Sequence, residues 1–427
     1  MATKAIREDE IIAAENTPVT QMATPNADDD NLFQALLHHR QFRYLWAAGV
    51  IIQLGQWFQN VALGWLALTL TNSPSFVGKI GFASGVPILL LSLPAGALLD
   101  RLDRRRALLI CQIVGALLAI VVAVVNWQGW IEPWHLIIAA ILSGALLAVS
   151  QPATQTLVPA LVPRADLPNA LALTSAGNSS TRIIGPSIAG VLIGAVGLAG
   201  CFVAQAGTLF GAAALTMLIR LPQGARAGAA VSGGLIDGLR IIRRDRTLTG
   251  LLLLGAAPAL LAYPYIQMLP VFVRDVFHLD ARGLGLIMAA SGVGSLLGAL
   301  LLAKLNNYTH KGRLTLTIGI TYGFVLTAFT MSRWPILTAA LLACSAFLGS
   351  AFYSGNQILV QTHTSEAMRG RVMGALALSF GLTPVGALII GELAQYLGVS
   401  WGVAIGALGS SLCVALVALR YREIARL

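Results

Sequence analysis

Past residue 43 the chain reads as long apolar stretches separated by short polar breaks. Twelve stretches reach spanning length, at about 44–70, 76–99, 107–126, 134–157, 168–195, 199–219, 248–273, 283–304, 314–331, 335–360, 371–397 and 400–420. Each is close to the roughly 20 residues that a helix needs to cross the hydrocarbon core of a bilayer. One long interruption, Arg220 to Thr247, separates six of them from the other six. The pattern predicts an all-α membrane protein of twelve transmembrane helices. They form two six-helix bundles, 44–219 and 248–420, joined by a cytoplasmic linker at 220–247, with a short cytoplasmic tail at 421–427. Residues 1–43 are expected to form a cytoplasmic tail and an interfacial helix. The first 30 lack the basic start and apolar core of a secretory signal and read as disordered. Asn31 is then placed to cap a short helix with Leu32, Phe33, Leu36 and Leu37 on one face, suited to lying on a membrane surface.

Composition agrees with the pattern. The chain has 427 residues, 56% hydrophobic and 11% charged, with a mean hydropathy of +0.77. A soluble domain carries about 25% charged residues, so too little polar surface remains to cover a globule in water. The net charge of +10 raises nucleic acid as a partner, but the placement of the basic residues argues for topology instead. Basic residues stay on the cytoplasmic side during insertion. With the amino terminus inside, every Lys and Arg falls on that side except Lys79, Arg182, Arg274, Arg282 and Arg333. Both termini are therefore expected in the cytoplasm, with the chain in the cell (inner) membrane. The cysteines (Cys111, Cys201, Cys344, Cys413) each sit singly in an apolar run, without metal or redox spacing. The histidines fall in the tail, in loops or at helix ends, which argues against a histidine proton relay within the membrane.

The most charged break between spans is the turn Gly96-Ala-Leu-Leu-Asp-Arg-Leu-Asp-Arg-Arg-Arg106. Gly96-Ala-Leu-Leu recurs as Gly298-Ala-Leu-Leu, and Leu157-Val158 recurs as Leu359-Val360 at the same offset; Pro186 has a near counterpart in Pro384. Parallel halves of this kind are one form of internal transporter symmetry. The turn resembles the loop between the second and third helices of the major facilitator superfamily, Gly-x-x-x-Asp-Arg-x-Gly-Arg-Arg/Lys. Gly96, Asp100, Arg101, Arg104 and Arg105 match, and Asp103 stands at the later glycine. Phe42-Arg-Tyr-Leu-Trp46, Leu54-Gly-Gln-Trp57 and Ala62-Leu-Gly-Trp65 resemble the bacterial branch that contains enterobactin exporters and macrolide efflux proteins. Val158-Pro-Ala-Leu-Val-Pro-Arg164, Gly185-Pro-Ser-Ile-Ala-Gly190 and Arg369-Gly-Arg-Val372 extend the likeness. The resemblance implies the major facilitator fold and alternating access. It also implies a gating role for the turn, with Asp100 near the start of the eleventh helix and Arg101 and Arg104 reaching carboxylates such as Asp166 or Glu366. These contacts would hold the outward-open state; simple topological anchoring is the alternative for the arginines. Gly96 would let two helices approach closely. Gly185-Pro186 resembles part of the fifth-helix antiporter motif, whose earlier glycines are Ala172 and Thr181 here, and a kink is expected there.

Polar residues inside spans supply the candidate chemistry. Gln53, Gln56 and Asn60 share one helical face in the first span, and with Trp57 they would line a central cavity; helix-to-helix hydrogen bonding is the alternative. Tyr263-Pro264-Tyr265 and Gln267 in the seventh span read as a hinged gate with aromatic substrate contacts, or as a proline-kinked packing helix. Tyr353, Asn356 and Gln357 in the tenth are polar enough to face inward. Arg182 lies near mid-membrane, where a charge normally has a partner or a purpose. It would bind an anionic or oxygen-rich substrate group, or else bond backbone carbonyls near Gly185-Pro186. Glu392, the acidic residue well inside a span, is either the protonatable group of an antiporter or a side chain reaching the outer headgroups.

These readings converge on a secondary efflux transporter, exporting a small amphipathic compound, drug-like or siderophore-like. Alternating access with proton antiport is expected, in a monomer in the lipid bilayer. No GxxxxGK[ST] loop points to nucleotide, and no acid, base and nucleophile set at a water-facing position points to an enzyme. No metal or cofactor is implied. The alternatives are a lysophospholipid flippase, or a transporter-like receptor or scaffold that binds without flux.

Overall fold

The computed structural model describes residues 34–99, 102–220, 245–304 and 310–427. The expected tail, the Asn31 cap, Asp100, Arg101 and most of the linker lie outside them. The first half runs α1 Gln34–His38, α2 Arg40–Thr71, α3 Pro74–Leu99, α4 Arg104–Trp127, α5 Pro133–Leu161 and α6 Leu167–Met217. The second runs α7 Arg246–Leu261, α8 Tyr265–Val271 with a π turn Phe272–Val276, α9 Ala281–Lys304, α10 Lys311–Met331, α11 Pro335–His363, α12 Glu366–Phe380, α13 Thr383–Leu397 and α14 Val399–Arg420. A helix satisfies its backbone internally, which hydrocarbon demands. Among the described residues, 10 helical segments are long and apolar enough to cross a membrane.

The breaks account for the twelve expected spans. α6 is 51 residues long and holds the fifth and sixth spans, which turn at Gly197 (φ 73°, ψ −179°), a backbone conformation that only glycine adopts easily. α2, 32 residues long, is the first span, diluted by Gln53, Gln56, Gln59 and Asn60. The seventh span is interrupted at residues 262–264, before α8, and the eleventh at Gly381 and Leu382, between α12 and α13. α6 stays helical through Pro186 rather than departing from helical φ/ψ there; its one non-helical residue is Gly197.

Charged residues shape the helix ends. Asp103 caps α4, accepting from the backbone N–H groups of Arg105 (3.0 Å) and Arg106 (3.3 Å). Asp245 caps α7 in the same way, accepting from Thr247 (2.8 Å) and Leu248 (3.0 Å). A cap of this type contributes about 1 kcal/mol. So the residue that replaces the superfamily's glycine starts the third span.

Within the first half, α2 and α4 pack on α6, and α3 on α5; within the second, α9 packs on α11, and α10 on α11 and α14. The halves meet along two helix pairs, α3 with α13 and α6 with α9. Both seams depend on small residues. A Cβ on Gly78 would lie 2.9 Å from Gly391 Cα, and one on Gly190 would lie 3.1 Å from Gly285 Cα. Bare backbones can approach this closely, gaining dispersion contacts where lipid offers no hydrophobic drive.

Candidate functional site

Polar bonds join the halves at one end of these seams. Arg274 donates to the carbonyl oxygen of Leu68 (2.9 Å) and to Asn72 Oδ1 (2.9 Å), while its own neighbour Asp275 holds the guanidinium at 2.5 Å. Ser75 Oγ donates to Glu392 (2.5 Å), Lys79 Nζ lies 3.5 Å from the same carboxylate, and Ser73 Oγ donates to Gln395 (2.7 Å). Arg282 donates to the Gly194 carbonyl at 3.1 Å. Toward the other end, α12 packs on its own half, against α7 and α11.

Between the halves lies a cavity of about 420 Å³. The first half lends it Trp57 of α2 and Arg182 and Pro186 of α6; Tyr263, Tyr265, Tyr322, Tyr353 and a set of serines come from the second. Each aromatic is placed by its neighbours. A Cβ on Gly185 would lie 2.7 Å from Trp57 Cδ1, so the glycine is what lets the indole lie flat on α6. The break after Leu261 turns both Tyr263 and Tyr265 to the cavity. Tyr263 Oη donates to the Gly349 carbonyl (3.1 Å), and its ring lies 5.9 Å from that of Tyr322. Tyr265 hydrogen-bonds Ser291. Tyr322 is 1% exposed and, among the described residues, its hydroxyl has no partner.

Among the described residues that line the cavity, Arg182 is the one that is charged. It is exposed there, and among the described residues it makes no hydrogen bond or ion pair, to a backbone carbonyl or otherwise. A central arginine costs about 2.5–3.5 kcal/mol on insertion scales.

The remaining candidates are dispersed. Gln53 lines a second space of about 240 Å³ between α2, α5 and α6, with Trp46, Gln151 and Asn178. Gln56 donates to Asn60 Oδ1 (3.2 Å) and borders a narrow third pocket, while Asn60 lines neither this pocket nor the two larger cavities. Of the expected stripe, Trp57 is the member that lines the central cavity among the described residues. Gln267 lies against the Gly81 position of α3, at the seam. Asn356 is buried within the second half and donates to the Leu251 carbonyl (3.3 Å). Gln357 donates to Tyr353 Oη (3.0 Å) and so stands behind the cavity wall.

The turn residues are also redistributed. Among the described residues no atom lies within 4 Å of a Cβ built on Gly96, so none of them makes a close helix approach there. Arg105 donates to the Thr216 (3.1 Å) and Met217 (2.5 Å) carbonyls, closing the end of α6 within its own half. Asp166 is held by His39 at 2.7 Å. Glu392 neither lines the cavity nor reaches outward alone; it bridges α13 to α3.

Sequence reasoning missed Tyr322, Ser291, Ser295, Ser345 and Ser350 at the cavity. Serines give little signal because each can satisfy itself locally; Ser295 donates to Gly292 and Ser345 to Leu341, both at 2.8 Å. It also missed Gln59, which donates to Ser143 and accepts from Gln205 (2.9 Å) inside the first half. Among the described residues no three His, Cys, Asp or Glu side chains gather as a metal site would need.

Two six-span halves around a central cavity, joined along two glycine-lined seams, define a multi-pass membrane transporter of the major facilitator fold. The family profile described as transmembrane secretion effector matches residues 33–425, and the chain belongs to that family. It is 26% identical over 383 residues to a staphyloferrin A transporter of Staphylococcus aureus, covering 88% of this chain and 94% of that protein. It is 27% identical over 351 residues to the multidrug efflux pump Tap of Mycolicibacterium fortuitum, covering 79% and 85%. A bacterial homologue of the human lysosomal transporter Spinster, solved inward-facing and unoccupied, superposes with a TM-score of 0.72 at 14% identity, covering 90% of this chain and 97% of that one.

Proposed function

We propose that this chain is a secondary efflux transporter of the cell membrane, moving a small amphipathic compound outward by alternating access and proton antiport. One observation carries the reading: the central cavity lies between halves fastened to each other at one end, by Arg274, Glu392, Ser75 and Arg282. With the amino terminus cytoplasmic, as the basic residues imply, that end is the outer one and the cavity is poised to load from inside. The halves, 44–219 and 248–420, then rock about the seams, and the fastened end opens to release substrate. Asp100, Arg101 and Arg104 would fasten the cytoplasmic end in the opposite state. The likeness to a staphyloferrin A transporter and a multidrug efflux pump supports export of a small compound. Protons supply the drive, and the protein works as a monomer.

The test is uptake into sealed inside-out vesicles of macrolides, catechol siderophores and lysolipids, with and without an imposed proton gradient. Gradient-dependent uptake of a soluble compound is expected. Gradient-independent movement of lysolipid would establish a flippase instead, and saturable binding without any flux would establish a receptor.

A further inference from the structure

We propose that the central cavity selects organic anions: its substrate is an amphipathic carboxylate or similar anion carrying a flat apolar part. This rests on the transport reading for its biological meaning, but the charge argument stands on the cavity alone. Among the described lining residues Arg182 is the one charged group, and none of them is a carboxylate that would neutralise it. A guanidinium stays protonated under all physiological conditions and presents a planar fork that matches a carboxylate with two parallel hydrogen bonds. Here that fork is exposed to the cavity and, among the described residues, is bonded to nothing.

Two further features point to the same class. The Tyr322 hydroxyl is buried at the wall without a partner, and an unpaired buried hydroxyl is costly unless something bonds it. Placed beside an anion, it becomes a donor. Trp57 and Tyr263 add flat apolar faces for the body of the ligand. The aromatic faces alone would also attract a cation. The unpaired guanidinium reverses that preference, because a second positive charge in this space meets repulsion with no counter-charge. The volume of about 420 Å³ suits a single small organic molecule.

The full chain in lipid nanodiscs would be tested with a matched pair of probes sharing one ring system, 2-naphthoate and 2-naphthylmethylammonium. Equilibrium binding should favour naphthoate by about tenfold or more. Arg182→Gln should erase that preference, Arg182→Lys should keep part of it, and Tyr322→Phe should weaken naphthoate binding a few-fold. The lysine variant guards against a merely structural effect of the glutamine change. Equal or tighter binding of the ammonium probe overturns the proposal, as does naphthoate binding that is absent or insensitive to Arg182→Gln. Flux of both probes in sealed vesicles separates the two readings. Naphthoate that binds through Arg182 but is never moved leaves the anion site standing and removes transport. Movement of the ammonium probe alone leaves transport standing and removes the anion site.

Discussion

The two halves share a topology, yet they dispose of their polar side chains in different ways. In the first half the amides turn to one another: Gln59 bonds Ser143 and Gln205, and Gln112 donates to Thr216 (3.1 Å). In the second half Tyr263, Tyr265, Tyr322 and Tyr353 line the cavity. The Tyr263 and Tyr353 hydroxyls are bonded within the half to Gly349 and Gln357, and that of Tyr322 is left without a partner among the described residues. A polar group in a membrane can be satisfied by a neighbouring helix or by a cavity. The first six spans mostly take the former solution and lend the cavity one charge and one indole; the last six use both, bonding Tyr263 and Asn356 within the half while setting four tyrosines along the cavity. The first half acts as a braced wall and the second as the binding surface.

The largest effect should come from separating the halves at a seam. A side chain at Gly190 would meet Ala281 and Gly285 backbone, which cannot rotate away. Gly190→Leu should therefore disfavour this closed end by about 1–3 kcal/mol, opening it to thiol reagents at a cysteine placed at the buried Ser75 and reducing transport to background. Gly207→Leu, on the same helix but with nothing within 4 Å of its Cβ position, is the matched control and should do neither. Equal effects from both would dissolve the idea of two bodies meeting at narrow seams.

Next in size is the contrast between bracing and binding. Gln59→Leu removes two hydrogen bonds and strands Gln205 and Ser143 inside the first half. At about 0.6 kcal/mol per intramembrane hydrogen bond, thermal stability should fall by roughly 1–2 kcal/mol, with the KM for substrate unchanged. Tyr322→Phe should do the reverse, since its hydroxyl has no protein partner to lose. Stability would hold and KM would rise. If Gln59→Leu raised KM while leaving stability intact, the division of labour between the halves would be wrong.

The same contrast explains what was legible from residue order. Span lengths were legible because hydrocarbon thickness sets them, and the expected 314–331 and 400–420 correspond to α10 and α14 within three residues. Arg182, Tyr263 and Tyr265 were legible because a charge, or a tyrosine beside a proline break, is conspicuous inside an apolar run. The stripe Gln53, Gln56 and Asn60 parts from Trp57 for a geometric reason. Gln53 and Asn60 share a helical face with Trp57 but sit about 6 and 4.5 Å from it along the axis, so one face meets different spaces: Trp57 the central cavity, Gln53 the space between α2, α5 and α6. Periodicity finds the polar face but not which neighbour that face meets. The role of Asp103 was hidden because it depended on where α4 starts, and Tyr322 because it stands alone on an otherwise bland helix.

The smallest effect is expected at the fastened end itself. Glu392 and Lys79 form an exposed pair across the seam, with the buried Ser75 hydroxyl on the same carboxylate, and exposed ion pairs contribute little because water and salt screen them. Glu392→Gln keeps an oxygen for Ser75 but loses the attraction to Lys79. The balance between the two states should shift a few-fold at most toward opening at this end, and the shift should shrink as salt rises. Export driven by the proton gradient should persist, because a carboxylate bridging α13 to α3 outside the cavity fastens the halves without meeting the substrate. Loss of gradient dependence in this variant, with substrate binding intact, would instead make Glu392 the coupling residue. The fastening would then be the means by which a proton releases the outer end.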